Sequence, residues 1–366
     1  MNPQNVYPIH PGAVIKAELE SRGWTQRDLA FVLGKQEPQL NRILSGKGSI
    51  SADMALALGA AFDENPEFFS NLQNRYDLAL AKQPDPNVKR RATLQSKYPL
   101  RDMMKRGWIQ ECDTSLMEMQ IARFYESDSV AHAAKKTNYD AVPPAQLAWL
   151  FRVRQLARTI SPVAYSEQRL RELLPKLRAM TIEPEAVADV AAMLLECGVT
   201  FVLVEVIGNA KIDGVCLWID DRPVIGMSLR LDRLDNFWFV LRHEIEHVLR
   251  GDGKDHAIID ELDSAEGETL EACEIAANTA AAEFCMPVDR LNSFIARKGQ
   301  FVSERDIVGL AGVVGTHPAL VVGQWQRKTG KYQNFRKYLV NVRKHLINER
   351  SKALLDGWGH VAAVNL

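Results

Sequence analysis

The stretch DNFWFVLRHEIEHVLRG, residues 235–251, constrains this chain more than any other. Wound as a helix at about 100° per residue with His243 at zero, it places His247 near 40° and Glu244 near 100°. Phe237, Trp238, Leu241, Ile245, Val248 and Leu249 then cover roughly 120° to 240°, a stripe for burial. The two imidazoles therefore share one line beside the buried face. Arg242, Glu246 and Arg250 take the opposite, polar sector, where pairing at i, i+4 accounts for Glu246 without chemistry. Two histidines one turn apart can reach a single Zn2+ at about 2.0–2.1 Å, and a carboxylate can supply a third protein ligand. The fourth position stays open for water, which is the arrangement of a catalytic rather than a structural zinc site. Glu244, adjoining the first histidine, is the candidate general base.

The third ligand has to come from another element. GETLEACEIAANTAAAEFCMP, residues 267–287, offers Glu268, Glu271 and Glu274 on one helical face at spacings of three. Spacing alone does not choose among them. The 5 cysteines are odd in number, far apart and never in a C-x-x-C pair, so they suggest neither a disulfide framework nor a thiolate zinc site. His256, in GDGKDHA, and His317, before Pro318, are further candidates, although a loop position and a helix cap are the commoner roles for such residues.

Around this region the pattern changes. VTFVLVEV, GVCLWID and VIGMSLR, between residues 199 and 230, read as three short antiparallel strands, with a turn at Asp220-Asp221-Arg222-Pro223. Helical patterns resume at Leu234 and run to about Arg350, so residues 195–350 form an α+β domain with a small antiparallel sheet ahead of its helices. Either GVCLWID or VIGMSLR could offer an edge to an extended peptide. Residues 351–366 read as a C-terminal tail, and residues 100–194, with runs such as PPAQLAWLFRVRQLARTI, as a helical connector.

At the N-terminus, residues 1–80 read as an all-α bundle of short helices broken at Gly23, Gly34 and Gly46. Thr25 is placed to cap one helix, and Gln36 to Leu44 would form the next across a glycine turn. Leu29, Val32, Leu40, Ile43 and Leu44 are assigned to packing. That leaves Gln36, Glu37, Gln39 and Arg42 to face DNA, with Gln26 as a phosphate contact. The proline-containing linker at 81–99 carries Lys89, Arg90 and Arg91; residues 82–106 hold 8 Lys+Arg against 2 Asp+Glu, whereas residues 1–80 hold 7 against 9. The net charge of −1 hides this division.

The longest apolar stretch, about 187–208, is interrupted by Asp189, Glu196 and Glu205, so no membrane span is expected. MNPQNVYPIHPG lacks the basic and apolar segments of a secretory signal, which leads us to expect a cytoplasmic protein.

Two resemblances sharpen these readings. H-E-x-x-H followed by Glu274-Ile275-Ala276-Ala277-Asn278 and by Met286-Pro287 resembles the ImmA/IrrE metallopeptidases, over roughly residues 195–330. The resemblance implies a zincin-like domain in which Glu274 is the zinc ligand, with Glu271 as runner-up and Asn278, one turn beyond, as a supporting residue; His317 is a further supporting candidate from its position alone. Glu246 stands where such proteins often carry a small residue. HPGAVIKAELESRGWTQ and ISADMALALGAAFDENPEFFSNLQNRYDLA resemble phage-repressor-like helix-turn-helix domains, HigA-type antitoxins above all, over residues 8–80. Gln36 departs from the usual Ser or Thr cap there, and Glu37 places a negative charge toward the groove. Together they imply a DNA-binding regulator, homodimeric on a palindromic double-stranded operator. It would be fused to a zinc endopeptidase that cleaves a protein partner, of repressor or antitoxin type, in a stress, phage or toxin-antitoxin response. The alternative is a HigA-like antitoxin or repressor whose zinc domain senses a signal or binds a partner without proteolysis, which needs the ligands but not Glu244.

Overall fold

The computed structural model describes residues 9–126, 142–254, 258–260 (backbone), 272–299, 301–348, 351 and 353–360. The chain divides into two compact units, Met1–Val88 and Lys89–Leu366.

In the first unit α1 (Pro11–Arg22), α2 (Gln26–Leu33), α3 (Glu37–Leu44), α4 (Ala52–Phe62) and α5 (Pro66–Leu80) each start from a definable local signal. Thr25 and Asp28 form a reciprocal capping box, and Ser51 and Asn65 cap α4 and α5 through their side chains. Gly34, in the left-handed region at φ 61°, ends α2 and turns the chain into α3. Gln36 precedes α3 without a side-chain cap bond, and Pro38 in the first turn supplies the start instead. Ile15, Leu19, Leu29, Leu40, Ile43, Leu44, Leu58, Phe62 and Phe69 form the core. Val32 does not join them: it is 48% exposed, and Ala30 is buried in its place. On α2 the inward line runs through Leu29, Ala30 and Leu33, one flank away from Val32.

The second unit is built on one sheet, β1 (Thr200–Val204), β2 (Gly214–Ile219), β3 (Arg222–Met227), β4 (Ile258–Asp260) and β5 (Leu354–Asp356), in the order β4-β2-β3-β1-β5. The sheet is mixed rather than purely antiparallel: β2 runs antiparallel to β3 and β4, whereas β1 is parallel to β3 and β5. Residue patterns report burial, not strand direction, so a crossover placing β1 beside β3 leaves no trace in them. Both faces are covered, and this is why VTFVLVEV reads as a continuous apolar run instead of alternating. Phe201, Leu203, Cys216, Ile225 and Met227 face one way. There they pack with α10 (Glu167–Met180), α11 (Val190–Glu196) and α12 (Leu234–Arg250). Val202, Val204, Val215, Leu217 and Val224 face the other way.

The segment expected to be a linker and connector lies on that second face. Part of the linker is helix α6 (Asn87–Lys97), followed by α7 (Leu100–Lys105), α8 (Thr114–Phe124) and α9 (Pro144–Arg158). Trp149, Leu150, Val153 and Leu156 of α9 are fully buried in one core with β1, β2 and β3. At ~1.5–3 kcal/mol for each large apolar side chain buried, this is a structural layer of the domain and not a tether.

Beyond α12 come α13 (Ala272–Cys285), α14 (Val288–Lys298), α15 (Glu304–Val314), α16 (Pro318–Thr329) and the short α17 (Arg343–Leu346). The helical pattern read as running to about Arg350 stops at Thr329, apart from short turns, and the expected tail holds β5. Asp356 in β5 is fully buried and accepts from Arg152 Nε at 2.7 Å, Arg106 Nη2 at 2.9 Å and Trp108 Nε1 at 3.2 Å. Among the described residues no single helix is long and apolar enough to cross a membrane.

Candidate functional site

Helix α12 carries the histidine motif through the middle of the domain. Gly251 in the left-handed conformation closes it, and Phe237, Trp238, Leu241, Ile245 and Val248 seat its apolar face. His243 and His247, 1% and 0% exposed, lie one turn apart with their Nε2 atoms 3.1 Å from each other. Helix α13 packs against α12 and brings Glu274, whose carboxylate oxygens lie 3.4 Å from His243 Nε2 and 3.3 Å from His247 Nε2. Burial pushes the Glu274 carboxyl up, but the two imidazoles outweigh it and hold the group well below the usual carboxylate range.

Among the described residues, these three form the one group able to hold a metal ion, with ligand atoms all within 4.8 Å of one another. The residues fit such an ion. Two ligand atoms at about 2.0–2.1 Å from a tetrahedral ion stand roughly 3.3 Å apart, close to the spacing of the two Nε2 atoms. Three electron-pair donors gathered this closely suit a cation and not an apolar group.

Glu244 is fully buried. Its carboxylate lies against β2 at Gly214, where a Cβ would fall 2.0 Å from Oε1. Past the helix, Asp252 places Oδ2 3.1 Å from His247 Nδ1. Neither Gly214 nor Asp252 stood out in the sequence. The signal for Asp252 was its place between two glycines immediately after the motif helix.

Other expectations fare differently. Glu246 pairs with Arg242 at 2.8 Å, as the i, i+4 reading implies. Asn278 makes no bond to Glu274; its Oδ1 is buried and has no hydrogen-bond partner among the described residues. His317 is the N-cap of α16, its Nδ1 accepting from Ala319 N at 3.1 Å, and its charged neighbours are Glu183 and Glu185. It caps a helix instead of supporting the ligands. Glu268, Glu271 and His256 lie outside the described residues. Of the two strands suggested for peptide pairing, β3 has partners on both sides and β2 is covered by β4 over Gly214–Cys216; only the stretch from Leu217 onward lacks a β4 partner in the described pairing.

In the first unit, Gln26, Gln36, Glu37, Gln39 and Arg42 are all exposed. An open cleft of about 880 Å³ between α2 and α3 is lined by Gln26, Phe31, Lys35, Gln36, Glu37 and Asn41 among others. Phe31, 87% exposed on α2, was not singled out by sequence. Glu37 is matched by Arg27, Nε to Oε1 at 2.8 Å, so the acidic residue at the start of α3 comes with its own counter-charge. Within the second unit, Arg90 of the basic cluster is held by Glu118.

Residues 15–69 match the family described as helix-turn-helix, and residues 200–311 match the family described as IrrE N-terminal-like domain. The virulence-associated protein A' of Dichelobacter nodosus is 41% identical over 81 residues, covering 22% of this chain and 70% of that protein. Antitoxin HigA-1 of Vibrio cholerae is 35% identical over 72 residues, 19% of this chain and 68% of that protein. Among solved structures, Pseudomonas aeruginosa antitoxin HigA with the higBA promoter is 34% identical, covering 25% of this chain and 94% of that one with a TM-score of 0.20. The chain thus belongs with the helix-turn-helix regulators that have HigA-like homologues. It is a DNA-binding regulator of transcription that joins such a domain to an IrrE/ImmA-like peptidase-family domain.

Proposed function

We propose that the second unit is a zinc endopeptidase that hydrolyses a peptide bond in a protein partner, with the first unit delivering it to an operator. The observation that carries this reading is the convergence of His243, His247 and Glu274 on one point, with the buried carboxylate of Glu244 on the same helix as the histidines. Bound there, zinc supplies Lewis acidity, polarising a scissile carbonyl and bringing the ionisation of water toward about pH 7. Glu244 takes the proton of the attacking water and passes it to the leaving amine. His243 and His247, both buried, would act through Nε2 as ligands, and Glu274 would complete the set.

The first unit presents α3 to the major groove, with Gln36, Gln39 and Arg42 able to reach base edges and Gln26 a phosphate. As a homodimer it would meet two half-sites about one helical turn, ~34–36 Å, apart on a palindromic operator. The partner that fits a regulator of this composition is a repressor or antitoxin of the same control circuit, inside the cytoplasm. The likeness to antitoxin HigA-1 favours a second reading, in which the zinc domain senses a signal or binds a partner without turnover.

Elemental mass spectrometry on the purified chain tests the site: near-stoichiometric zinc in the wild type, lost in His243→Ala, is the expected result. Glu244→Gln separates the readings. It should keep metal and operator binding while abolishing cleavage, and an unchanged cellular phenotype would favour the non-proteolytic regulator.

A further inference from the structure

The turn that closes the histidine helix is built against β2. Gly251 ends α12 at φ 74°, Asp252 follows, and Gly253 takes φ 80° so close to the strand that a Cβ would lie 2.8 Å from the carbonyl oxygen of Cys216. Two β2 side chains then hold the backbone carbonyl of Asp252: the Trp218 indole N–H donates at 2.8 Å and the Cys216 thiol at 3.6 Å. Lys254 closes the outer side, its Nζ lying 4.7 Å over the Trp218 ring. Held in this way, the Asp252 side chain points back at the helix. Its Oδ2 meets His247 Nδ1 at 3.1 Å and, from the solvent side, Arg250 Nε at 3.2 Å.

A carboxylate just past a helix C-terminus faces the negative end of the helix dipole, which costs about 0.3–1 kcal/mol. The turn therefore places Asp252 where helix electrostatics disfavour it. Two partners hold it there, the Arg250 guanidinium from the solvent side and the fully buried His247 ring from within.

We propose that Asp252 is a positioning residue for the metal centre, acting through His247. A neutral imidazole has one N–H and one acceptor nitrogen, and an ionised carboxylate only accepts. Toward Asp252 the Nδ1 N–H donates, and the Nε2 lone pair is then the one offered to an ion at the point shared with His243 and Glu274. Asp252 thereby selects the tautomer and fixes the ring plane, while Trp218 and Cys216 of β2 fix Asp252. The inference rests on the metal-centre reading given above and adds to it a residue outside the motif.

The test is zinc affinity, measured by competition with a chromophoric chelator, in wild type, Asp252→Asn, Asp252→Ala and Trp218→Phe, alongside melting of each metal-free protein. Affinity should fall about 10- to 100-fold in Asp252→Ala and less in Asp252→Asn. Trp218→Phe, which keeps a ring but loses the clamp on the carbonyl, should move in the same direction. Imidazole 15N shifts of the metal-free wild type should show His247 protonated at Nδ1, and a mixture of tautomers in Asp252→Ala, a change that a merely structural turn would not produce. Zinc affinity within about twofold of wild type in both Asp252 variants, or a His247 protonated at Nε2 in the wild type, overturns the proposal. A wild type that binds no zinc overturns the metal-centre reading itself, and the wild-type control alone reports that outcome.

Discussion

The Glu244 carboxylate occupies the space that a side chain at Gly214 would need: a Cβ there would sit 2.0 Å from Oε1 and 2.9 Å from Val240 Cγ1. The position of the candidate base is thus set by a strand residue with no functional group. Gly214→Ala should displace Glu244 by a fraction of an ångström to an ångström, at an overpacking cost of about 1–3 kcal/mol. Cleavage should drop on the order of 100-fold, while zinc stoichiometry stays at the wild-type value because His243, His247 and Glu274 are untouched. Turnover and metal content measured on one preparation check this, and wild-type turnover in the variant would refute it.

Chelation offers a second test. If zinc ties α12 to α13, its removal withdraws stabilisation of about 2.7 kcal/mol at a free zinc concentration 100 times Kd. We expect a chelator to lower the melting transition of the second unit and leave operator affinity intact. Glu274→Gln should mimic the chelator even in added zinc.

The carboxylate of Asp356 offsets the buried Arg152 guanidinium, which is 2% exposed. Removing one partner of such a pair strands the other in a low-dielectric interior, at about 3–5 kcal/mol. Asp356→Ala should lower the unfolding free energy of the second unit by that amount, as measured by urea denaturation, whereas pairing it with Arg152→Met should recover the part due to Arg152 and leave the part due to Arg106.

Arg27 and Glu37 form a pair whose side chains are 84% and 52% exposed, so neither matters much for stability; changes within about 1 kcal/mol are expected. DNA should feel them strongly. Arg27→Ala leaves Glu37 facing phosphate and weakens binding, Glu37→Gln strengthens non-specific binding, and the double variant returns toward wild type. Fluorescence anisotropy across a salt series measures all three, and equal affinities at low salt would remove α3 from the DNA-facing surface.

His317 has a proton affinity depressed by burial, although Glu183 and Glu185 oppose the shift. With its folded pKa below the ordinary 6.5, the unfolded chain takes up the proton first, so stability is retained above that pH and lost as pH falls through it. Protonation also removes the Nδ1 acceptor for Ala319 N. His317→Asn, which can still cap α16 but does not titrate, should flatten the decline between about pH 7 and 5, as read from urea midpoints across that range.

How far residues alone led depended on sequence distance. The neighbourhood of His243 and His247, and the capping box of Thr25 with Asp28, are local facts and could be read from spacings of three and four. Choosing Glu274 over Glu271 needed the family resemblance, because three carboxylates shared one face. The arrangement of β1 beside β3, the layer formed by α6 to α9, and the capture of Arg152 by Asp356, 204 residues away, are long-range pairings that no local period encodes. Gly214 was invisible for a different reason: what matters there is the absence of atoms, which becomes meaningful only once Glu244 is seen opposite.

The bonds that Arg106 and Arg152 make to Asp356 have a consequence for how such a chain can be recombined. The matched peptidase-family segment, residues 200–311, contains neither the arginines nor the aspartate. A crossover placed at its borders would move a sheet stripped of one helical layer and of an edge strand. The seam that genetic exchange can use lies near residue 88, ahead of the whole second unit. Exchange of the helix-turn-helix half can leave the remainder intact, whereas moving the peptidase-family half means carrying everything from Lys89 to Asp356 together.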